Sequence, residues 1–367
     1  MKSIQPPVRI LLGPGPSEPH PDVLQAQSKP MLGHLDPVFM QILLETQDAL
    51  RKVFQTRNEH TLAVSGTGMA GMECVFANLI EPGDKVLICA AGFFGERMGD
   101  IAKRSRANVE VVRATWGTSF DQEAIQSALA QYQPKVMGIV HAETSTGACQ
   151  PLQDLGRLCQ THNTLLVVDA VTSLATIPLK VDEWQIDAVY SGSQKGLGCP
   201  PGLAPVSMNE RAITKVRQRK QPVQSYYLDI LELMKYWSSA PAYHHTAPIT
   251  SFYALHEGLK LVLQEGLETR WQRHQRNWQA LKSGLLQLGL KLLTDESCQM
   301  PALTAVEIPS GIDDLTIRKK LLNEYGIEIG GGLGPLKGKI WRIGLMGYGS
   351  SIQNVEKFLS AMQKCLN

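Results

Sequence analysis

No run of apolar residues in this chain approaches the ~18 that a bilayer-spanning helix needs, which excludes a membrane-spanning helix from the reading. An excess of one charge is lacking too. Its 36 Lys and Arg stand against 34 Asp and Glu, a net +2 with no basic block, so nothing steers it electrostatically to nucleic acid or to an anionic membrane. The seven cysteines, at 74, 89, 149, 159, 199, 298 and 365, show no CxxC and no paired spacing. That excludes a disulfide framework. Set in apolar stretches, they read as buried reduced thiols, and a reducing cytoplasm is the expected compartment. The first seventeen residues carry an apolar stretch too short and too broken by proline for a secretion signal, and the terminal Lys364-Cys365-Leu366-Asn367 is not an SKL-type peroxisomal address. Internal repeats and low-complexity tracts are also missing.

What is present is ordinary globular composition, 43% hydrophobic and 19% charged. The 367 residues suggest two domains at roughly 150 residues each. Strand and helix signals alternate through the first two thirds. Short apolar runs at 61–65, 86–90, 109–113, 136–140, 164–168 and 186–190 are separated by helical periodicity, with a helix expected over 151–162 among them. This pattern predicts an α/β fold with a mostly parallel sheet covered on both faces. From about residue 265 the texture changes. A long polar helix runs from Glu268 to about Leu288, followed by strand candidates at 291–293, 304–308, 327–329 and 340–343 and helices at 313–325 and 353–365. The expected division is an N-terminal arm over 1–20, a large domain over 21–264, and a small α+β domain over 265–367.

Polar residues gather where the apolar strands end, the place where open α/β sheets bind ligands. Gly66-Thr67-Gly68-Met69 stands at a strand-to-helix junction, where successive N–H groups and the positive end of a helix make an anion site; a plain small-residue turn is the other reading. Asp169 closes the run 164–168, a costly place for a carboxylate unless a cation meets it; a helix cap or structural ion pair would also account for it. Lys195 follows a strand in Ser191-Gly192-Ser193-Gln194-Lys195-Gly196, among small residues that let a bulky group approach. Arg342 interrupts the apolar strand Ile340–Ile343, suited to a bidentate grip on a carboxylate or to a structural acidic partner. Together, in this order, these features match what pyridoxal phosphate chemistry asks of a protein: a phosphate cradle, a lysine for the aldehyde, an aspartate for the ring nitrogen and an arginine for the substrate carboxylate.

On these residues the chain resembles the class V pyridoxal-phosphate aminotransferases of fold type I, and within them the alanine–glyoxylate and serine–pyruvate aminotransferases. The likeness runs from Leu11-Leu12-Gly13-Pro14-Gly15-Pro16-Ser17 to Arg342-Ile343-Gly344-Leu345. It is most specific at His141-Ala142-Glu143-Thr144-Ser145-Thr146-Gly147, Val168-Asp169-Ala170-Val171, Ser191-Gly192-Ser193-Gln194-Lys195 and Tyr243-His244-His245-Thr246. The resemblance implies a seven-stranded-type sheet and a homodimer whose active sites are shared across the interface, with the N-terminal arm on the partner. It implies pyridoxal 5'-phosphate joined to Lys195 as an imine, its ring nitrogen on Asp169. Thr67, Gly68, Met69 and Gln194 would hold the phosphate, Phe94 would stack on the ring, and Thr144 and Val171 would line it. Tyr243 and Thr246 would reach the neighbouring subunit's phosphate. Arg342 would take the substrate carboxylate, with Gly15 on the opposite wall. The implied reaction moves an amino group from a small amino acid, alanine or serine, to glyoxylate.

Two positions depart from the pattern. Met69 stands where relatives often have histidine, leaving only its N–H, and Phe94 replaces a frequent tryptophan, with loss of the indole donor. The adjacent His244 and His245 are expected to face opposite ways on an extended segment and to bind no metal. Gly330–Pro335 lacks the spacing of a phosphate loop and is expected to shape a turn near the active-site entrance. The basic stretch 215–220 reads as a solvated face. Two other functions remain open at this point: a cysteine desulfurase or lyase on the same cofactor, for which Cys298 is the candidate mobile thiol, and a non-catalytic binding module on the same scaffold.

Overall fold

The six apolar runs assemble into one sheet, with those at 136–140, 164–168 and 186–190 buried at its middle and those at 61–65 and 109–113 on its edges. The computed structural model describes residue 1 and residues 3–366. Its main sheet has seven strands: β1 (His60–Ser65), β2 (Lys85–Ala90), β3 (Asn108–Arg113), β4 (Val136–Val140), β5 (Leu165–Asp169), β6 (Ala188–Tyr190) and β7 (Leu203–Met208), in the order β1-β7-β6-β5-β4-β2-β3. The pairs from β3 across to β6 are parallel, and β7 alone runs antiparallel to both neighbours. β7 is not among the strands expected from the sequence. Pro205 sits inside it, its carbonyl accepting from the Ser191 N–H at 2.8 Å.

A hydrophobic core runs from Val23 to Val262 through this sheet and its helices. A second gathers Leu12 with Leu281, Leu285, Trp341, Phe358 and Met362. It lies against the antiparallel sheet β8 (Leu303–Glu307), β9 (Gly330–Gly331) and β10 (Ile340–Gly344), in which β10 is central. The start of the chain joins the second core: Ile10–Leu11 pairs in parallel with Ile327–Glu328. Residues 10–17 are thus bound within their own chain, with Ser17 donating to the Lys195 carbonyl at 2.7 Å.

Three details differ from the sequence reading. The helix expected over 151–162 is confined to Leu155–Thr161, because Pro151 holds Gln150 extended and the Gln150 side chain is occupied with Phe120 N–H and the Thr118 carbonyl. The segment 291–293 contributes only the isolated bridge Leu292↔Val306 before Thr294 turns its hydroxyl to the Thr146 carbonyl at 2.6 Å. The basic stretch 215–220 is partly structural. Lys215 meets the Asp84 carboxylate at 2.9 Å, and Arg219 satisfies the carbonyls of Asn78 and Ile80 at the end of helix Gly68–Leu79.

The two cores are joined by an ionic cluster on the helices Ile249–Glu265 and Leu267–Gln287. Glu265 accepts from Arg270 at 2.6 Å and from Arg273 at 2.6 and 3.0 Å. Burial pushes this carboxyl upward, but the hydrogen bonds and charges of Arg273 and Arg270 outweigh it and hold the group down at about 2. A depressed carboxylate stabilises the fold above its unfolded value and loses that contribution as the pH falls through about 2. Replacing Glu265 by Gln strands two arginines and is expected to lower the unfolding free energy at neutral pH by about 3 kcal/mol, measured by urea denaturation.

Candidate active site

The ends of β5 and β6 and the turn after β1 meet at one cavity of about 120 Å³. Its walls bring together Thr67, Gly68, Met69, Phe94, Thr144, Asp169, Val171, Gln194 and Lys195. β1 delivers the cradle. Helix Gly68–Leu79 starts there with Thr67 as its N-cap, and the Thr67 side chain makes no capping bond. The N–H groups of Gly68 and Met69 have no hydrogen-bond partner among the described residues, so the positive end of the helix opens into the cavity. The Gln194 amide oxygen is likewise buried without a partner among those residues.

Asp169 ends β5 at 4% exposure. It accepts from the Val171 N–H and the Tyr190 hydroxyl, both at 2.9 Å, and no lysine or arginine lies within ion-pair distance among the described residues. Burial dominates and pushes the carboxyl up to about 7, opposed by those two hydrogen bonds; Glu143 adds to the rise and Lys195 subtracts. Lys195, on the turn beyond β6, donates to the Pro14 carbonyl. Burial first, and then the charge of Arg342, hold its amine down at about 8, against the pull of Asp169. Gly15 takes φ +114°, which favours glycine, and a Cβ there would fall 2.7 Å from Lys195 Cε and push that side chain aside.

Arg342 leaves the centre of β10 at 6% exposure. Its Nε donates to the Gly331 carbonyl at 2.7 Å and an Nη to the Thr144 carbonyl at 3.1 Å. It forms no ion pair among the described residues, which removes the structural-partner reading. Burial lowers the guanidinium to about 10, so it keeps its charge at neutral pH. The glycines at 330–331 form the strand beside it rather than a turn, and the remaining Gly334–Leu336 makes a single 3-10 turn.

Tyr243 and Thr246 are not brought to this cavity by their own chain. They lie on the exposed loop before helix Ile249–Glu265, Tyr243 being 61% exposed with its ring edge-on to His34. The neighbouring histidines correct the expectation that they face apart, since their Nδ1 atoms are 2.8 Å from each other. The segment is irregular rather than a strand, so alternation does not apply. His244 Nε2 reaches the Tyr226 carbonyl, which makes it a donor and leaves Nδ1 to accept from His245; the Ser65 hydroxyl then donates to His245 Nε2 at 2.7 Å.

Two residues at the site carried no assigned role in the sequence reading. Tyr190 stands opposite Asp169 in the β5–β6 register, a signal that needs the strand pairing to be seen. Glu143, 1% exposed, takes the N–H groups of Phe94 and Gly95 and both the N–H and hydroxyl of Ser145, and so anchors the helix Phe93–Arg104 that presents Phe94. A hydrogen bond to a carboxylate favours its charged form. Tyr190→Phe is therefore expected to move the Asp169 titration in cofactor-free protein upward from about 7, read from the carboxyl carbon resonance against pH.

Comparison with known proteins is consistent along nearly the whole chain. Residues 23–347 match the family described as aminotransferase class-V. The (S)-ureidoglycine–glyoxylate transaminase of Bacillus subtilis is 44% identical over 98% of this chain and 91% of its own, and the alanine–glyoxylate aminotransferase of Mus musculus 40% over 100% and 89%. The crystal structure of an alanine–glyoxylate aminotransferase from Nostoc sp., 49% identical, superposes with a TM-score of 0.99 over 100% of this chain and 97% of that one. A cavity holding an unpaired buried carboxylate, a lysine and an anion cradle, on this fold and with these relatives, places the chain in the class-V aminotransferase family.

Proposed function

We propose that this aminotransferase moves an amino group from a small amino acid, alanine or serine, to glyoxylate, using pyridoxal 5'-phosphate held in the cavity at Lys195. One observation carries the reading: Lys195 and Asp169 face the same cavity, and Asp169 has no cation of its own there. The residues fit the cofactor. The unspent N–H groups of Gly68 and Met69, the Thr67 hydroxyl and the Gln194 amide suit a phosphate, and Asp169 suits a protonated ring nitrogen. Val171, Thr144 and Phe94 give the ring its walls. When bound, the cofactor supplies an electron sink for the charge left on a carbon that loses its proton.

The chain's own groups do the rest. Asp169, kept in place by Tyr190 and Val171, holds the proton on the ring nitrogen. Arg342 has donors left after its two carbonyl bonds, and these grip the α-carboxylate of the donor. The Lys195 amine, near neutrality at about 8, would take the proton from the donor's Cα and return it to the cofactor side; with the amino group kept by the cofactor and water supplying the oxo oxygen, the donor leaves as its oxo acid. The same steps in reverse load the amino group onto glyoxylate and yield glycine. Gly15 and the apolar Met69 and Phe94 bound the space for the side chain. Arg318, on the helix beside β9, is spent on Asp314 at 2.7 Å and so is not free to support a dicarboxylic donor.

The exposed Tyr243 and Thr246 support a homodimer in which each reaches the partner's phosphate site, and the exposed residues 3–8 are available as an arm onto that partner. The same reading divides the chain into arm, large domain and small domain at about residues 20 and 264. Seven free cysteines suit a reducing cytoplasm. A desulfurase role has less support. Cys298 is 4% exposed, its thiol lies against the Gly117 carbonyl at 3.5 Å, and burial pushes its pKa up.

The test is a panel of amino donors against glyoxylate and pyruvate. Alanine and serine are expected to convert the cofactor absorbance, whereas aspartate is not, and Lys195→Ala is expected to bind cofactor without turnover. Normal transamination by that variant ends the reading. Arg342→Gln is expected to raise the KM for the donor by about tenfold to a hundredfold, because a charge-assisted bidentate grip is lost.

A further inference from the structure

Helix Leu267–Gln287 comes from the second core, yet its Arg270, at 5% exposure, ends between the two loops that follow the reactive residues. Its Nη2 donates to the carbonyl of Gly196, the residue after Lys195, at 2.7 Å. Its Nε donates to the carbonyl of Ala175, in the turn that follows Asp169, at 3.1 Å. Neither carbonyl accepts a backbone N–H among the described residues, so both depend on this one side chain. Ala175 has φ +62°, a left-handed conformation that a residue with a Cβ seldom adopts unaided. The loops lie back to back, with a Cβ on Gly196 falling 2.6 Å from Thr176 Cγ2, so a shift of one displaces the other.

We infer that Arg270 is a positioning residue for transamination: its planar fork fastens the Lys195 loop to the Asp169 loop and fixes the distance between amine and carboxylate. The inference rests on the roles proposed above for those two residues. A lysine at 270 keeps the charge but, as a point donor, cannot span two carbonyls in the fork's geometry. Removing Arg270 leaves no stranded carboxylate, because Glu265 keeps both bonds to Arg273. Arg273 itself serves the Gly347 and Ser350 carbonyls and touches neither loop.

The experiment compares Arg270→Gln, Arg270→Lys and Arg273→Gln as holoenzymes, and as cofactor-free proteins in which the rate of Lys195 modification by an amine reagent is followed against pH. Both Arg270 variants are expected to lose about tenfold or more in kcat with donor KM within about twofold, since a small misplacement is costly in rate and Arg342 is untouched. Their Lys195 pH midpoint is expected to move, and that of Arg273→Gln to stay. Wild-type kcat and midpoint in Arg270→Gln, or full rescue by lysine, overturns the inference. In the unmutated protein the Arg270 Nε–H resonance is expected to be shielded from solvent exchange and to shift on cofactor binding; an indifferent resonance overturns it even if the variants do not fold. Lys195→Ala keeps the two claims apart. Turnover by that variant sinks the underlying roles, whereas an inactive Lys195→Ala beside wild-type-like Arg270 variants sinks only the positioning role.

Discussion

A carboxylate at the end of a buried strand, held by one hydroxyl and one amide and by no cation, is the constraint around which the site is built. Burial of Asp169 is costly by itself, and the two hydrogen bonds recover only part of the cost. The lysine amine suffers the opposite displacement in the same small space. Two groups are pushed toward each other's range near neutrality, with the arginine on the facing strand kept charged. The proposed ligand, with a phosphate at one end and a protonatable nitrogen at the other, would balance them. The rest of the fold serves to hold these unfavourable positions: β5 and β6 pair Asp169 with Tyr190, and the buried Glu143 carboxyl anchors the helix that carries Phe94.

Much of this was legible in the amino-acid order. Asp169, Lys195 and Gly66–Met69 stand at strand ends because apolar runs stop there, and polarity at such boundaries reads directly from sequence. Arg342 was legible for the same reason, as a charge inside an apolar strand. What could not be read depends on contacts across the chain. Tyr190 is one residue in an apolar run until the register sets it opposite Asp169. β7, buried at every position, carries no period-two signal, and the histidine pair was misjudged because such alternation holds only where a ladder enforces it. Lys215 and Arg219 looked like surface charge, since their partners, Asp84 and the end of helix Gly68–Leu79, are distant in sequence.

The two cores differ in how they contribute. The larger supplies the floor of the cavity, and the smaller supplies Arg342 and the buried guanidinium between the loops. An apolar cluster of Ala142, Ile177, Met300, Ala302, Leu303 and Met346 draws on both halves of the chain, and side chains reaching backbone carbonyls across the boundary add contacts that are directional and admit little sliding. Apolar packing alone would allow a range of relative placements. The proposed arrangement, with substrate gripped from one core and proton movement carried out from the other, needs a single one.

The parallel pairing of Ile10–Leu11 with Ile327–Glu328 has a consequence for biosynthesis. The strand that anchors residues 10–11 is translated more than 300 residues after them. Until it emerges, the wall containing Pro14 and Gly15 can be tied only on the Lys195 side, through Ser17 to the Gln194 and Lys195 carbonyls. A nascent polypeptide can therefore form its sheet before this wall of the cavity is pinned from both sides.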